Sequence, residues 1–289
     1  MTARGVAGGG IAFAALLFLA LAAWPARADR ATAAAPWVVY YAAAAPADAF
    51  DAFGLLVLDS EAHPSLAELK DRGKVLLGYI SLGEVASYRA WFDDLSRQGL
   101  LLAENPNWKG SFYVDLRDRR WTKRVIEEIV PAILFEGFDG LFLDTLDNPI
   151  HLERVEPEEY AGMTEAAARL VRALRLHYPT IPIMLNRAYP LLPEVEDAID
   201  MALGESVYTD YDFETGTYGL VDPETYRLQI EFLTAARARR PELRVMTLDY
   251  WDPEDPAGIR HIYEVERANG FEPYVATIEL DRIVPRPAP

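Results

Sequence analysis

Eight short apolar runs, separated by amphipathic stretches, constrain the fold of this chain more than any other feature. The runs are Trp37–Tyr41 (WVVYY), Gly54–Leu58 (GLLVL), Val75–Ser81 (VLLGYIS), Gly140–Asp144 (GLFLD), Pro182–Asn186 (PIMLN), Asp200–Glu205 (DMALGE), Val245–Asp249 (VMTLD) and Pro273–Ile278 (PYVATI). Each is hydrophobic almost throughout, as strands are when both faces of a parallel sheet are covered. Between them, helical periodicity is clearest over Trp121–Glu136, with apolar residues at 125, 126, 129, 130, 133 and 134. Tyr160–His177, Pro223–Arg239 and Pro256–Asn269 show similar patterns. Gly73, Gly137 and Gly270 stand just past helix ends, where a left-handed cap is common.

Eight strands with intervening helices over about 250 residues predict an α/β chain closed into a (β/α)8 TIM barrel. The competing topology, an open doubly wound sheet, would carry a phosphate-cradling glycine motif after its first strand. Four alanines, Ala42–Ala45, stand there instead. The stretch from Glu84 to Arg120, with Trp91 and Trp108 in it and Trp121 just beyond, exceeds an ordinary loop. It predicts an insertion after strand three, holding a short helix and an extra strand at Phe112–Asp115.

The N-terminus differs in kind. Arg4 is followed by an apolar run from Ile11 to Trp24 and by Ala26-Arg27-Ala28, a small-x-small sequence. These are the three parts of a secretory signal peptide. The run is shorter than the roughly 20 residues a membrane-spanning helix needs. The expected organisation is a signal peptide over 1–28, a linker over 29–36 and one barrel domain over 37–289. It places the mature protein outside the cytoplasm, secreted or periplasmic, as a monomer with no lasting membrane insertion. With no cysteine there is no disulfide framework and no thiol nucleophile. The fold then depends on the size of its core, which the 51% apolar content can supply.

The whole chain carries a formal charge of −17. Removing 1–28 takes away Arg4 and Arg27 and no acid, leaving 26 Lys+Arg against 45 Asp+Glu, or −19. Such a field repels nucleic acid and anionic headgroups and attracts cations.

In a barrel of this type, chemistry gathers where the strands end. Those ends carry Tyr40 and Tyr41, Asp59, Ser81 with Glu84, Asp144 with Asp147, Asn186 with Arg187, Glu205, Asp249 with Tyr250, and Thr277 with Glu279. Of the four histidines, His177 and His261 fall in outer helices, and neither His63 nor His151 belongs to a zinc-binding pattern. No G-x-S-x-G elbow and no P-loop occurs. A rim rich in carboxylates and lined by tyrosine and tryptophan suits glycoside hydrolysis. There, one carboxyl protonates the leaving oxygen and a second acts as nucleophile or base.

At this point the segments GYISLGEVASYR, FYVDLRD, GFDGLFLDTLDN, MLNRAY, ALGESVYT and VMTLDYWD carry a resemblance. They resemble the motif series of glycoside hydrolase family 114, the endo-α-1,4-polygalactosaminidases, and the related hydrolase domain of Pel exopolysaccharide systems. The resemblance spans about Val38 to Val284. It implies a TIM barrel, extracellular action on galactosamine-containing polymers, no cofactor, and catalysis by an acidic pair that falls on Asp144 and Glu205. On that basis Asp144 is expected as nucleophile or transition-state stabiliser and Glu205 as general acid/base, with the swapped assignment open. Tyr40, Asp59, Glu84, Asp147, Asn186, Asp249 and Tyr250 are expected to bind substrate hydroxyls or amines. Arg187 either tunes a carboxylate or forms a structural ion pair. A carbohydrate-binding barrel without turnover is the alternative. A deacetylase or metal-dependent hydrolase is a third option, weakened by the absence of histidine ligand spacing.

Overall fold

The computed structural model describes residues 35–287, so the expected signal peptide and most of the linker lie outside the described residues. Thirteen strands follow in chain order: β1 Trp37–Tyr40, β2 Leu55–Leu58, β3 Val75–Ser81, β4 Glu84–Ala86, β5 Leu101–Glu104, β6 Ser111–Val114 and β7 Gly140–Asp144. They continue with β8 Ile183–Asn186, β9 Met201–Glu205, β10 Thr209–Asp212, β11 Thr217–Leu220, β12 Arg244–Tyr250 and β13 Glu272–Ala276. Eight form one sheet in the order β1-β2-β3-β7-β8-β9-β12-β13, with every ladder parallel. Side-chain and loop contacts, rather than a ladder, join the first strand to the last. The Trp37 indole N–H donates to the Glu272 carbonyl at 2.9 Å, and the Tyr41 N–H donates to the Leu280 carbonyl at 2.7 Å. The sheet is thus a nearly closed TIM barrel.

Every residue of β1, β2 and β8 is buried, as the unbroken apolar runs require. Two of the surrounding helices start where an Asp-Pro pair says they should. Asp222 accepts N–H bonds from Glu224 and Thr225, and Asp255 accepts one from Gly258. Pro223 and Pro256 occupy the first turns, where a missing N–H costs nothing. The helix expected at Trp121–Glu136 runs from Arg119 to Glu136 with a wide π turn at Val125–Ile129. Pro131 accounts for it: its ring would strike the Glu127 carbonyl in a regular helix, and it has no N–H to donate.

The insertion after β3 is larger than one strand. It is a three-stranded antiparallel sheet, β4-β6-β5, with a helix at Phe92–Arg97. Gly83 lets it sit close to the barrel, because a Cβ there would lie 2.1 Å from the Thr145 carbonyl oxygen. A second insertion, the β10–β11 hairpin, follows β9 directly. Among the described residues, no helix is long and apolar enough to cross a membrane.

Candidate active site

Side chains alternate across a strand, so one residue of offset decides whether a group faces the barrel axis or the helices. On β7, β8, β9 and β12 the inward positions at the C-terminal ends are Asp144, Asn186, Glu205 and Tyr250. Together with Tyr41 and Tyr79 they line a cavity of about 920 Å³ that also takes in Glu84, Asp147 and Asn148.

Asn186 organises the centre. Its buried amide nitrogen donates to Asp144 Oδ1 at 2.9 Å and to Glu205 Oε2 at 2.6 Å. The other Glu205 oxygen accepts the Tyr250 hydroxyl at 2.5 Å. Burial first and the Glu205 charge second push the Asp144 carboxyl up to about 7, against the opposing Asn186 bond. Burial likewise drives the Tyr41, Tyr79 and Tyr250 hydroxyls far above their ordinary range; the Asp144 charge adds to it at all three and the Glu205 charge at Tyr41 and Tyr250. These phenols remain neutral donors at any physiological pH.

The backbone is bent in the same way behind each of the three residues on β7, β8 and β9. Thr145, Arg187 and Ser206 follow Asp144, Asn186 and Glu205 directly, and their φ angles are 64°, 50° and 52°. A left-handed, β-branched threonine is strained and persists only when its surroundings hold it. The Thr145 hydroxyl supplies that hold. It lies 2.9 Å from the Ser81 hydroxyl, accepts the Gly83 N–H at 2.8 Å and donates to the Asp144 carbonyl at 2.7 Å.

Glu84 is buried on the opposite wall, where its Oε2 accepts amide N–H bonds from Asn105 at 2.7 Å and Asn148 at 2.9 Å. Burial raises its pKa and the two amides oppose that rise. Asp147 lies beside Arg187 at 3.7 Å, both side chains partly exposed, a geometry that contributes little to stability.

Three expected binding residues are not in the cleft. Tyr40 points outward and packs edge-on against Phe50 at 5.4 Å; its neighbour Tyr41 takes the inward place. Asp249 is buried on the outer side of β12, where Oδ1 accepts the Tyr208 and Thr209 N–H groups, each at 2.8 Å. Asp59 caps its own turn, accepting the Glu61 and Ala62 N–H groups at 2.8 Å and pairing with Arg89 at 3.5 Å. Sequence reasoning passed over Tyr79, Asn105 and Asn148. Tyr79 carried a usable signal, a polar aromatic inside an otherwise apolar strand two residues before Ser81.

The arrangement offers two close carboxyls, one amide touching both, and neutral hydroxyls around them in a wide cleft. It can attack and protonate the two sides of a glycosidic bond. The sequence profile of glycoside-hydrolase family GH114 matches residues 20–288. The glycoside hydrolase domain of PelA from Pseudomonas aeruginosa superposes with a TM-score of 0.75 at 26% identity, over 86% of this chain and 96% of that one. Ega3 from Aspergillus fumigatus shares the fold, with a TM-score of 0.62 at 14% identity, over 86% of this chain and 92% of that one. An uncharacterised Deinococcus radiodurans protein is 27% identical over 222 residues, 74% of this chain and 67% of the relative. The chain belongs to glycoside-hydrolase family GH114 and is a glycosidase.

Proposed function

We propose that this glycosidase is exported and cleaves α-1,4-linked galactosamine or partly N-acetylated galactosamine polymers, as a monomer, through Asp144 and Glu205 with net retention at the anomeric carbon. One observation carries the retaining pair. Because a single nitrogen bonds both carboxylates, at 2.9 Å and 2.6 Å, the bonded oxygens lie at most about 5.5 Å apart, the spacing of retaining rather than inverting glycosidases. An inverting pair needs room for a water between its carboxyls.

Asp144 has the shorter side chain and ends a core strand, at the cleft floor; it is the nucleophile. It bonds to the anomeric carbon as Glu205 gives its proton to the departing oxygen. Glu205 then takes a proton from water, and that water's oxygen replaces Asp144. Burial and the Glu205 charge both oppose ionisation of Asp144, so the pair holds one proton up to about pH 7. The ammonium of an amino sugar above Asp144 favours its carboxylate form, the form that attacks. The Ega3 structure holds galactosamine, and the acidic lining of this cleft, with Glu84, Asp147 and Asp210, suits a cationic sugar.

The test is hydrolysis of a partly deacetylated α-1,4-galactosamine polymer, with the first-formed reducing ends followed by proton NMR. The α-anomer should form first and mutarotate later. Initial β-anomer would exclude the double displacement, and no new reducing ends would exclude the substrate.

A further inference from the structure

The two insertions rise on either side of β7 and β8, and their tips meet. Trp108, in the turn between β5 and β6, stands edge-to-face against Phe213, in the β10–β11 turn, with ring centroids 5.8 Å apart at 83°. Phe213 in turn packs on Tyr211 at 5.2 Å, which packs on Tyr218 at 5.0 Å. Trp108 and Phe213 line the same cavity as Asp144 and Glu205, yet they are 56% and 65% exposed. An edge-on contact between rings that stay mostly in water buries little surface and contributes little to folding. Exposed apolar rings continuous with a polar cleft mark a ligand site.

We infer that Trp108 and Phe213 form a remote sugar platform that holds a residue of the polymer several units from the scissile bond. A pyranose presents a flat C–H face that an aromatic ring covers without demanding a fixed hydroxyl pattern. Asp210, on the same cavity wall and anchored by the Ser206 hydroxyl at 2.7 Å, supplies a carboxylate for that unit's ammonium group. The inference rests on the amino-sugar reading above and extends it: binding energy is gathered far from the reacting bond, so long chains bind better than short ones.

The experiment measures affinity in the uncleaving Asp144→Asn background by titration calorimetry, with an α-1,4-linked galactosamine hexamer and dimer. Trp108→Ala and Phe213→Ala should each weaken the hexamer about tenfold and the dimer less than about twofold. Trp108→Phe should recover most of the loss. The two variants sit on different insertions, so a folding defect in one leaves the other readable. Equal losses for both ligands, no loss, or no hexamer binding overturns the platform. If the hexamer binds through Trp108 but native enzyme releases no reducing ends, the hydrolytic reading falls and the platform stands.

Discussion

Tyr250 donates its hydroxyl to Glu205 from the strand next to it, β12 beside β9, and holds that carboxyl in one orientation. Hydrogen bonds to charged groups are worth about 1.5–3 kcal/mol. Tyr250→Phe keeps the ring packing and removes only this bond. It should lower kcat by roughly 10- to 100-fold while the protein stays folded. An unaltered kcat on the galactosamine polymer would show that Glu205 needs no such orientation.

Asp144→Asn and Glu205→Gln should each remove about three orders of magnitude or more of kcat/KM while the protein stays folded. In the proposed mechanism the active form is the pair with one proton. Because that proton is lost as pH rises through about 7, kcat/KM of the native enzyme should fall above that pH. Glu205→Gln removes the neighbouring charge, so the Asp144 carboxyl should titrate lower than in the native protein, as read from its carboxyl carbon by NMR. An unmoved Asp144 titration would show that the two groups are not coupled.

Glu266 lies fully buried on the helix at Pro256–Ala268, and among the described residues neither carboxyl oxygen has a hydrogen-bond partner. Burial first and the Asp249 charge second push it up to about 8, while burial raises Asp249 to about 6. Folded pKa values above the unfolded ones mean that the folded state binds more protons. The stability these groups contribute is therefore full below about pH 4 and lost as pH rises through about 6 and then 8. Chemical denaturation should show the protein weaker at pH 9 than at pH 5. Glu266→Gln should recover on the order of a few kcal/mol at pH 9 and little at pH 5. A stability curve identical in the variant would remove Glu266 as the cause.

With 26 Lys+Arg against 45 Asp+Glu beyond residue 28, long-range attraction should speed encounter with a cationic polymer. Salt screens that attraction over about 8–10 Å at 0.1–0.15 M. Raising salt should lower kcat/KM on a deacetylated polymer and leave kcat nearly constant, while a fully N-acetylated polymer shows a flatter response. Equal slopes for both would leave the charge a matter of solubility alone.

The barrel was legible because two-sided burial makes a parallel strand hydrophobic at every position. That same continuity hides which residues face inward. Tyr40 and Tyr41, or Asp249 and Tyr250, look alike at a strand end, and only the closed sheet separates Tyr41 and Tyr250 in the cleft from Tyr40 and Asp249 behind the wall. Asp59 was equally ambiguous, since a carboxylate after a strand can cap a turn as readily as face a ligand. β4 is only three residues long, and β5 and the β10–β11 hairpin are short and largely exposed or half-buried, so no apolar period announces them. The meeting of Trp108 with Phe213 has no local trace at all, because it depends on two separate insertions arriving at one place.

The left-handed residues behind Asp144, Asn186 and Glu205 limit how this enzyme can be hardened against heat. Non-glycine residues in that conformation cost of order 1–3 kcal/mol each, so a search for thermostability would favour asparagine or glycine at Arg187 and Ser206. Yet those bends fix the direction in which the amide and the carboxyl behind them point. A relaxed backbone there would let the aim of the side chains wander. Heat resistance and turnover pull against each other along this arc of the rim, and a durable variant is better sought in the outer helices.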